Sequence, residues 1–421
     1  MRILIVGSGG REHALAWRCR QDLPHSDIHC APGNAGMALV AKLHPLVVDD
    51  VSALLQLSLQ LQPDLILIGP EVALAAGAVD VLRTQRFQVF GPMMDAAQIE
   101  SSKTFAKQLM LECGVPTARH WSVTTLAEAD AAIRDGARVV KADGLAAGKG
   151  VTVCSSEKET REAVERTLEV FGAPLVLEEL LVGREVSVLA LCDGERALML
   201  PTVQDHKRLN DFDEGPNTGG MGTISPGTHH VRLGISEDAL LHRVREEVMQ
   251  PVVDEMRRRE TPFIGTLFAG IMVNPTTGDV KCLEFNARFG DPETQVLVRR
   301  LKGNLPHALL ACAEGDATSI RLTVSAEAAV CVVMASQGYP GSVRKGDRIE
   351  GLEKAAAVES VQVFHAGTRL VDGAVTTDGG RVLAVTATGE SVAHAVDRAY
   401  HAVSLIRWPG VQYRRDIGRA G

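Results

Sequence analysis

The amino-acid sequence predicts an α/β protein, with a doubly wound parallel sheet at the N-terminus and mixed α+β segments after it. In the first hundred residues, short apolar runs alternate with amphipathic stretches, which is the order of a parallel sheet with helices on both faces. Beyond them, hairpin-like strand pairs and long glycine-rich loops replace that alternation. The length of 421 residues exceeds one ordinary core and suggests about three domains.

Four strand-like runs define the predicted N-terminal sheet. They read RILIV, DIHC, DLILIG and QVFG, and helix-like stretches lie between them, most clearly at residues 12–20 and 51–61. A turn with Gly7, Gly9 and Gly10 follows the first strand and leads into a helix. Backbone N–H groups in such a turn can hold a phosphate.

This glycine turn is not a dinucleotide-binding fingerprint, because Glu12 stands where the third glycine would be and no acidic residue closes the second strand. The second strand instead ends in PGNAG, which contains Gly33 and Asn34. Two such turns, with Arg11 nearby, predict a sugar-monophosphate site; a purely structural role for the glycines stays open. Glu71 ends a later strand at the same edge, where we expect it to hold ligand hydroxyls or an amine, or only to cap the next helix.

The composition argues against several classes of protein. The formal net charge of −8 comes without a long basic stretch, which argues against a nucleic-acid partner but leaves a small anionic ligand open. Eight cysteines lie far apart without a C-x-x-C pair, so we expect reduced thiols of a cytoplasmic protein rather than a zinc site or disulfides. We expect neither a signal peptide nor a membrane span.

Lysines and glycines in the middle of the chain predict phosphate contacts. Lys103 begins an amphipathic helix and Lys141 ends a β-branched run, although each alone is more typical of a solvated surface lysine. The glycine-rich loop ADGLAAGKGV follows Lys141 and lies between two strands, so it is not a P-loop. A mobile hairpin over phosphates fits it better. Its residues for that role are Gly144, Gly148, Lys149 and Gly150.

The segment PLVLEELLVGREVSV predicts the grip on an adenine and its ribose. We expect Glu178, Glu179, Leu181 and Glu185 to form it, with a charged edge strand as the alternative. Residues 204–226 then read QDHKRLNDFDEGPNTGGMGTISP, a long, polar and glycine-rich loop. Loops of that length in a compact enzyme are usually functional or disordered, and the specific mix of charges favours function.

The stretch EFNARFGDPETQ ends a strand and carries polar groups at alternate positions. Because strand side chains alternate faces, Glu284, Asn286 and Arg288 should project from one side. The intervening residues expected in a core are Leu283, Phe285 and Ala287. Oxygen ligands for a hard cation beside a guanidinium that binds an anion predict Mg²⁺ next to phosphate. A solvated strand edge with a surface ion pair is the alternative.

Several stretches together resemble the phosphoribosylamine–glycine ligase family, also called glycinamide ribonucleotide synthetases. They occur in the order and approximate spacing of that family and span essentially the whole chain. The stretches are GSGGREHALA, PGNAG, GPE, VKADGLAAGKGV, QDHKR, GPNTGGMG, EFNARFGDPETQ, GYPG and FHAGT. The resemblance implies an ATP-grasp enzyme of purine biosynthesis that joins glycine to 5-phosphoribosylamine and converts ATP to ADP and phosphate.

The resemblance also implies roles around the nucleotide. Glu284 and Asn286 would hold Mg²⁺, with Mn²⁺ as an alternative ion, and Arg288 would face the phosphoryl group in transfer or the acyl phosphate. Lys103 and Lys141 would contact the α- and β-phosphates under the glycine-rich loop.

The other two substrates are expected at the ends of the same site. Asp213 and the GPNTGGMG turn, through Asn217, Gly219 and Gly220, would form the glycine pocket. Arg288, Lys141 and Asp213 are the expected catalytic residues. The residues expected to bind phosphoribosylamine are Gly9, Gly10, Arg11, Gly33, Asn34 and Glu71.

The predicted organisation has three domains. Residues 1–100 would bind phosphoribosylamine, residues 101–325 would form the ATP-grasp part with a mobile lid at about 120–190, and residues 326–421 would form a small mixed domain. ATP, glycine and 5-phosphoribosylamine are the expected small-molecule partners, without nucleic acid or membrane. We expect a cytoplasmic monomer.

Three positions depart from the family pattern, and three other functions compete with it. Met37 replaces a small hydroxyl residue after PGNAG, and Phe212 and Gln337 replace common glycines.

A nicotinamide-dependent dehydrogenase would need the missing third glycine. A related ATP-grasp ligase or carboxylase should lack GPNTGGMG together with FHAGT. A non-catalytic ATP-binding regulator would be expected to have lost a metal ligand.

Overall fold

A parallel sheet flanked by helices forms the N-terminal part of the protein. The structure is a computed structural model that describes residues 1–146, 150–227 and 234–419. The first elements are β1 (Arg2–Gly7), α1 (Gly10–Asp22), β2 (Asp27–Pro32), β3 (Lys42–Leu43), α2 (Val51–Leu61), β4 (Leu65–Ile68), α3 (Glu71–Ala75), α4 (Ala78–Thr84) and β5 (Val89–Phe90). The strand order is β3-β2-β1-β4-β5 with all neighbours parallel. The predicted doubly wound sheet is therefore confirmed.

The central strand β1 is covered on both faces. Ile3 and Ile5 pack in one core cluster, and Leu4 and Val6 pack in another on the opposite face. A parallel strand buried on both sides reads as a continuous apolar run, which is what RILIV shows. The carboxyl ends of β1, β2 and β4 consequently open at one edge of the sheet, where the glycine turns lie.

A small antiparallel sheet follows, in the order β6-β9-β7-β8. Helices α7 and α8 pack with it around one small core. The elements of this part are α5 (Met94–Ser101), α6 (Lys103–Glu112), β6 (His120–Val123), α7 (Leu126–Arg134), β7 (Ala137–Ala142), β8 (Val151–Val153), α8 (Glu157–Phe171) and β9 (Leu175–Glu179). We call β6-β9-β7-β8 the small sheet.

A second antiparallel sheet, in the order β11-β10-β16-β17, faces the small sheet across the cleft described below. Its elements and their connections are β10 (Arg184–Asp193), β11 (Ala197–Met199), β12 (Gln204–Asp205), β13 (Arg208–Asn210), β14 (Glu214–Asn217), β15 (Gly222–Ser225), α9 (Glu237–Val244), α10 (Gln250–Arg258), β16 (Ile264–Val273), β17 (Val280–Asn286), α11 (Glu293–Arg300), β18 (Leu301–Lys302), α12 (Leu305–Ala313) and β19 (Thr323–Val324).

The C-terminal sheet takes strands from two parts of the chain. Its order is β12-β15-β20-β24-β21. Strand β12 pairs with β15, and β15 pairs with β20, which follows residue 326. The remaining elements are β20 (Ala328–Ala335), α13 (Leu352–Ala356), β21 (Val361–His365), β22 (Thr368–Val371), β23 (Ala374–Thr377), β24 (Arg381–Gly389) and α14 (Val392–Leu405). The sheet is continuous across the boundary predicted at residue 326, and the three-domain division stays a prediction.

No helix among the residues at 1–146, 150–227 and 234–419 combines the length and apolarity that crossing a membrane requires.

A β-bulge in β17 changes one of the predicted core residues. The strand pairs Gly270 with Glu284 but Ile271 with Cys282, so Leu283 is an extra residue on its side of the ladder. Phe285 is buried as predicted, as is the alanine two residues later. The prediction for Leu283 is wrong, because the bulge breaks the alternation there and this residue lines the cleft.

Two buried histidines join the N-terminal helix α1 to the C-terminal strand β21. The His365 N–H donates to Nδ1 of His13 at 2.8 Å, and the ring centroids are 5.6 Å apart. Burial lowers the pKa of His13 to about 3 and that of His365 to about 4. Both rings are therefore neutral at neutral pH. Because the donor is the main-chain N–H of His365, the hydrogen bond depends on the His13 ring staying neutral.

We expect acid to weaken the fold through His13. Its unfolded pKa is near 6.5 and its folded pKa about 3, so its contribution is fully present above pH 6.5 and is lost as the pH falls towards 3. Between pH 6.5 and 5 the loss should reach about 2 kcal/mol. In His13→Asn, the amide oxygen can replace the ring nitrogen as hydrogen-bond acceptor, and it does not titrate. Compared with the parent, this variant should have a lower free energy of unfolding by urea at pH 7.5, and that free energy should fall less between pH 7.5 and 5.

The matched control is His25→Asn, which replaces an exposed histidine. This control should keep the pH dependence of the parent. If His13→Asn lost stability with acid as steeply as the parent does, the buried neutral histidine would not be the cause.

Candidate active site

A cleft of about 770 Å³ lies where the sheets of the protein meet. Its wall includes Arg11 and Glu71 from the N-terminal part, Lys141 from the small sheet, Glu284 from β17 and Arg381 from β24. Every part of the chain thus contributes charged side chains to one cavity.

The end of β17 places a guanidinium beside two oxygen donors. Glu284, Asn286 and Arg288 all line the cleft, as the alternation in EFNARFGDPETQ predicts. Arg288 Nη2 lies 2.9 Å from Glu100 Oε1, and its Nε lies 3.3 Å from Glu71 Oε2. Although burial opposes its charge, these two carboxylates hold the pKa of Arg288 above its ordinary value. The guanidinium is therefore charged and fixed in place.

Glu284 is an ionised carboxylate surrounded by cations. Burial opposes its negative charge, but neighbouring cations hold the pKa of Glu284 below its ordinary value. Those cations are Lys207, Lys141, Lys103 and Arg288. Among the described residues no group of three or more His, Cys, Asp or Glu side chains could hold a metal. A divalent ion at Glu284 and Asn286 would therefore need oxygens from a nucleotide and water, which is how Mg²⁺ is usually bound.

Asp143 joins the first turn of α6 to the glycine-rich loop. Its carboxylate accepts hydrogen bonds from Ser102 Oγ and the Thr104 N–H, each at 3.2 Å. Lys103 Nζ donates to the Gly144 carbonyl at 2.9 Å, and burial lowers the pKa of this lysine. The side chain of Lys103, which we expect to contact a phosphate, is thus hydrogen-bonded to the glycine-rich loop at the wall of the cleft.

Glu178 lies between two buried lysines in the same wall. Its Oε1 is 2.8 Å from Lys141 Nζ and 3.1 Å from Lys107 Nζ. Glu178 is 2% exposed and Lys107 is 3% exposed. Lys141 Nζ also donates to the Leu283 carbonyl at 3.2 Å. Lys141 is therefore a fixed cation of the cleft and not a solvated surface lysine.

The end of β9, the start of β10 and the residues between them line the cleft. Glu178, Glu179, Leu181 and Glu185 all belong to its wall, and their contact with an adenine and its ribose stays a prediction. The Glu179 carboxylate accepts a hydrogen bond from Lys281 Nζ at 3.0 Å, and its main-chain N–H donates to the Arg119 carbonyl at 2.9 Å, so both groups already have partners within the protein. Glu185 forms an ion pair with Lys207, which also lines the cleft.

Glu12 fills the glycine turn that follows β1. The Gly9 N–H donates to Glu12 Oε2 at 2.6 Å. A Cβ would approach the Glu12 side chain to 2.7 Å from Gly7 and to 2.0 Å from Gly69, and a Cβ on Gly10 would collide with α11. The Glu12 carboxylate therefore occupies the space inside this turn, which favours a purely structural role for these glycines.

Polar groups of the second turn, PGNAG, also find hydrogen-bond partners within the protein. Gly33 adopts a positive φ of 75° and donates its N–H to the end of β1. The Asn34 amide donates to the Ser8 carbonyl at 2.8 Å and the His365 carbonyl at 2.9 Å. It also accepts from the Met37 N–H at 3.0 Å, so the departure at Met37 leaves this turn intact. Binding of phosphoribosylamine by the glycines and Asn34 stays a prediction.

Arg11 and Glu71 reach the cleft from the N-terminal part. Arg11 Nη1 donates to the Phe289 carbonyl at 2.9 Å, and its Nη2 lies 3.9 Å from Glu71 Oε2. Burial favours the neutral form of Glu71, but Arg288 and Arg11 hold its pKa below the ordinary value. A chain of ion pairs thus runs from the N-terminal part to the end of β17.

The turn at Thr218, Gly219 and Gly220 forms another part of the cleft wall. The Gly219 N–H donates to the Tyr339 hydroxyl and the Gly220 N–H donates to Thr218 Oγ1, each at 3.0 Å. Asn217 also lines the cleft. Both N–H groups expected to face glycine are therefore used within the protein, and the assignment of this turn to glycine stays a prediction.

Asp213 anchors the hairpin of β13 and β14 to the C-terminal segment. Its Oδ1 lies 2.6 Å from Nη1 of the buried Arg414, which also lies 2.6 Å from Asp416. The Phe212 N–H donates to Asp416 at 2.9 Å. Phe212 and Asp213 have positive φ values of 60° and 56°, which is why glycine suits position 212.

Some further positions that the sequence analysis singled out have different locations. Gly144 and Gly150 line the cleft. Gly148 and Lys149 lie outside the described residues. Gln337 is exposed, so the departure there does not touch the cleft directly.

Some charged or polar side chains of the cleft had no assigned role in the sequence interpretation. They are Glu100, Lys107, Asp205, Lys207, Glu293, Tyr339 and Arg381. Lys107 could have been predicted from the sequence, since it lies one helical turn after Lys103 and therefore on the same face of the helix. Arg381 could not have been predicted, because the residues that it contacts lie far away in the chain.

Comparison with known families gives three matches along the chain. The models of the phosphoribosylglycinamide synthetase N domain, ATP-grasp (A) domain and C domain match residues 1–100, 101–294 and 329–420. The phosphoribosylamine–glycine ligase of Streptomyces coelicolor is 48% identical over 99% of this chain and 98% of its own length.

Solved structures agree with these matches. The crystal structure of phosphoribosylamine–glycine ligase from Thermotoga maritima superimposes with a TM-score of 0.84 at 34% identity, covering 99% of this chain and 100% of that one. A biotin carboxylase from Campylobacter jejuni gives a TM-score of 0.74 at 15% identity, covering 99% of this chain and 94% of that one. The second likeness shows the fold alone.

We expect Asp213→Asn to be mild. Its carboxylate is already paired with Arg414 and is largely exposed, so the variant should lose no more than about 1 kcal/mol of stability. Its kcat, in the glycine-dependent assay that the sequence resemblance implies, should stay within about tenfold of the parent. Asp211→Asn, on the same hairpin and also tied to the C-terminal segment, is the matched control. Asp213 lines the cleft, and its catalytic role stays a prediction; a several-hundredfold loss in Asp213→Asn alone would support that role.

Proposed function

This chain belongs to the phosphoribosylglycinamide synthetase family, and we propose that its cleft joins glycine to 5-phosphoribosylamine with conversion of ATP to ADP and phosphate. The product is glycinamide ribonucleotide, an intermediate of purine biosynthesis. The three family matches in order on one chain, and relatives covered along nearly their whole length, support this activity.

The chemistry has two steps, because a free carboxylate is a poor acyl donor. First, a carboxylate oxygen of glycine attacks the γ-phosphorus of ATP, ADP leaves, and glycyl phosphate forms. Then the amine nitrogen of phosphoribosylamine attacks the carbonyl carbon, phosphate leaves, and the nitrogen loses a proton. Both steps depend mainly on positioning and on neutralising the phosphoryl group in transfer.

The observation that carries the proposal is the fixed guanidinium of Arg288. Glu71 and Glu100 pair with it, its Nη2 lies 3.4 Å from Asn286 Oδ1, and it is among the cations that act on Glu284. A planar, permanently charged donor beside two oxygen ligands suits an acyl phosphate or a phosphoryl group in transfer. We assign that contact to Arg288.

The donor set at the end of β17 fits a hard divalent cation. We assign Mg²⁺, with Mn²⁺ as the alternative, to the Glu284 carboxylate and the Asn286 amide oxygen. When bound, the ion neutralises charge on the phosphates of ATP. Lys103 and Lys141, each bonded to a partner within the protein, would contact the α- and β-phosphates. We assign the glycine-rich loop that begins at Gly144 to cover them and exclude water, although its residues 147–149 lie outside the described residues.

The other ends of the cleft are assigned by the same reasoning. The main chain from Glu179 to Leu181 would meet the adenine and Glu185 the ribose hydroxyls. Arg11 and Glu71 would meet phosphoribosylamine, because the chain of ion pairs brings them next to Arg288. Asn217 and its glycine turn would line the glycine site. We also propose that the protein is a monomer in the cytoplasm.

An ATP-grasp enzyme with a different acceptor is the alternative. The carboxylase from C. jejuni shares the fold at 15% identity. Two stretches distinguish this chain from such an enzyme: GPNTGGMG forms the turn in the cleft, and FHAGT contains His365, which holds the N-terminal turn.

The proposal is tested by the release of ADP with each substrate omitted in turn. With MgATP, ADP formation should require both glycine and phosphoribosylamine and should match the glycinamide ribonucleotide formed. In Glu284→Gln, turnover should fall about a hundredfold or more, because a neutral amide is a poorer ligand for a hard cation.

Glu359→Gln is the control, since this exposed acid lies outside the cleft. It should behave as the parent does at every magnesium concentration. Near-normal turnover of Glu284→Gln across a magnesium titration would make the metal assignment wrong. ADP release that needs another acceptor in place of phosphoribosylamine would favour the alternative enzyme.

A further inference from the structure

We infer that Tyr339 and Arg381, both from the C-terminal segment, are positioning residues for the part of the cleft that receives glycine. The inference rests on the proposed function, because it takes the turn from Thr218 to Gly220 as the wall of the glycine site. It gives a role to the stretch GYPG, which the chemistry above leaves without one.

Both main-chain polar groups of Gly219 are bound by side chains more than a hundred positions away. Its N–H donates to the Tyr339 hydroxyl oxygen at 3.0 Å, and its carbonyl accepts from Arg381 Nη1 at 2.5 Å. A Cβ on Gly219 would lie 3.1 Å from Arg381 Cζ, so the guanidinium packs directly on the glycine. The C-terminal segment therefore sets the orientation of this peptide.

Arg381 also fixes the distance between two turns of the cleft. Its Nη1 donates to the Asp291 carbonyl at 2.6 Å, and its Nη2 lies 3.6 Å from the Asp291 carboxylate. The two turns touch, because a Cβ on Gly220 would lie 2.6 Å from Pro292 Cδ. One planar guanidinium thus bonds the glycine-rich turn and the turn that follows the metal-binding strand.

The hydrogen bonds of Arg381 favour positioning over direct binding of a substrate anion. Its Nη1 donates to the main-chain carbonyls of both Gly219 and Asp291. Its Nη2 lies 3.6 Å from the Asp291 carboxylate. Both terminal nitrogens are therefore directed at groups of the protein itself.

The test is steady-state kinetics with each substrate varied. Tyr339→Phe removes the acceptor of the Gly219 N–H and nothing else, so the KM for glycine should rise about fivefold. The KM for ATP and kcat should change by less than about twofold, because neither the lysines nor Arg288 is touched. Arg381→Lys keeps the charge but loses the planar guanidinium that packs on Gly219 while its second nitrogen faces the Asp291 carboxylate, so its KM for glycine should rise about tenfold or more.

The matched control is Tyr413→Phe, which removes a hydroxyl from another tyrosine of the C-terminal segment that does not line the cleft. It should keep the parent KM for glycine, and thermal unfolding should show all variants folded. A KM for glycine in Tyr339→Phe equal to that of the control, or a rise confined to ATP or phosphoribosylamine, would overturn the inference. A parent without glycine-dependent ADP formation would instead overturn the proposed function.

Discussion

The cleft depends on the turn at residues 289–292, because three distant segments of the chain bond to its main chain. Its carbonyl oxygens accept hydrogen bonds from Arg11 of α1, Thr223 of β15 and Arg381 of β24. Buried carbonyls need partners, so these contacts fix how the segments meet. The turn directly follows the strand that carries Glu284, and the end of the cleft to which we assign Mg²⁺ is consequently held between the N-terminal and C-terminal parts.

The fold could be predicted where the hydrophobic pattern is local and regular. The apolar runs of the N-terminal sheet predicted a parallel sheet because their strands are buried on both faces. The pattern could not predict the bulge at Leu283, since an extra residue is placed by pairing with the neighbouring strand. It also could not predict that β15 joins β20, because that pairing links segments about a hundred residues apart.

The site could be predicted where its residues lie close in sequence. Glu284, Asn286 and Arg288 share one strand end, so alternation alone brought them together. The pairing of Lys107 with Glu178, and of Arg381 with Gly219, depends on tertiary contacts that no local pattern encodes. The glycine turns are the opposite case, since their sequence suggests a phosphate cradle while the structure shows the Gly9 and Gly33 N–H groups bonded within the protein.

The activation of glycine as an acyl phosphate is the central claim, and the oxygen atoms of glycine test it most directly. Glycine labelled with ¹⁸O in both carboxylate oxygens is turned over with unlabelled MgATP and phosphoribosylamine, and the phosphate released is analysed by mass. If the carboxylate attacks the γ-phosphorus, each phosphate should carry one ¹⁸O atom and the amide of the product should keep the other. Release of unlabelled phosphate in step with product would contradict the claim.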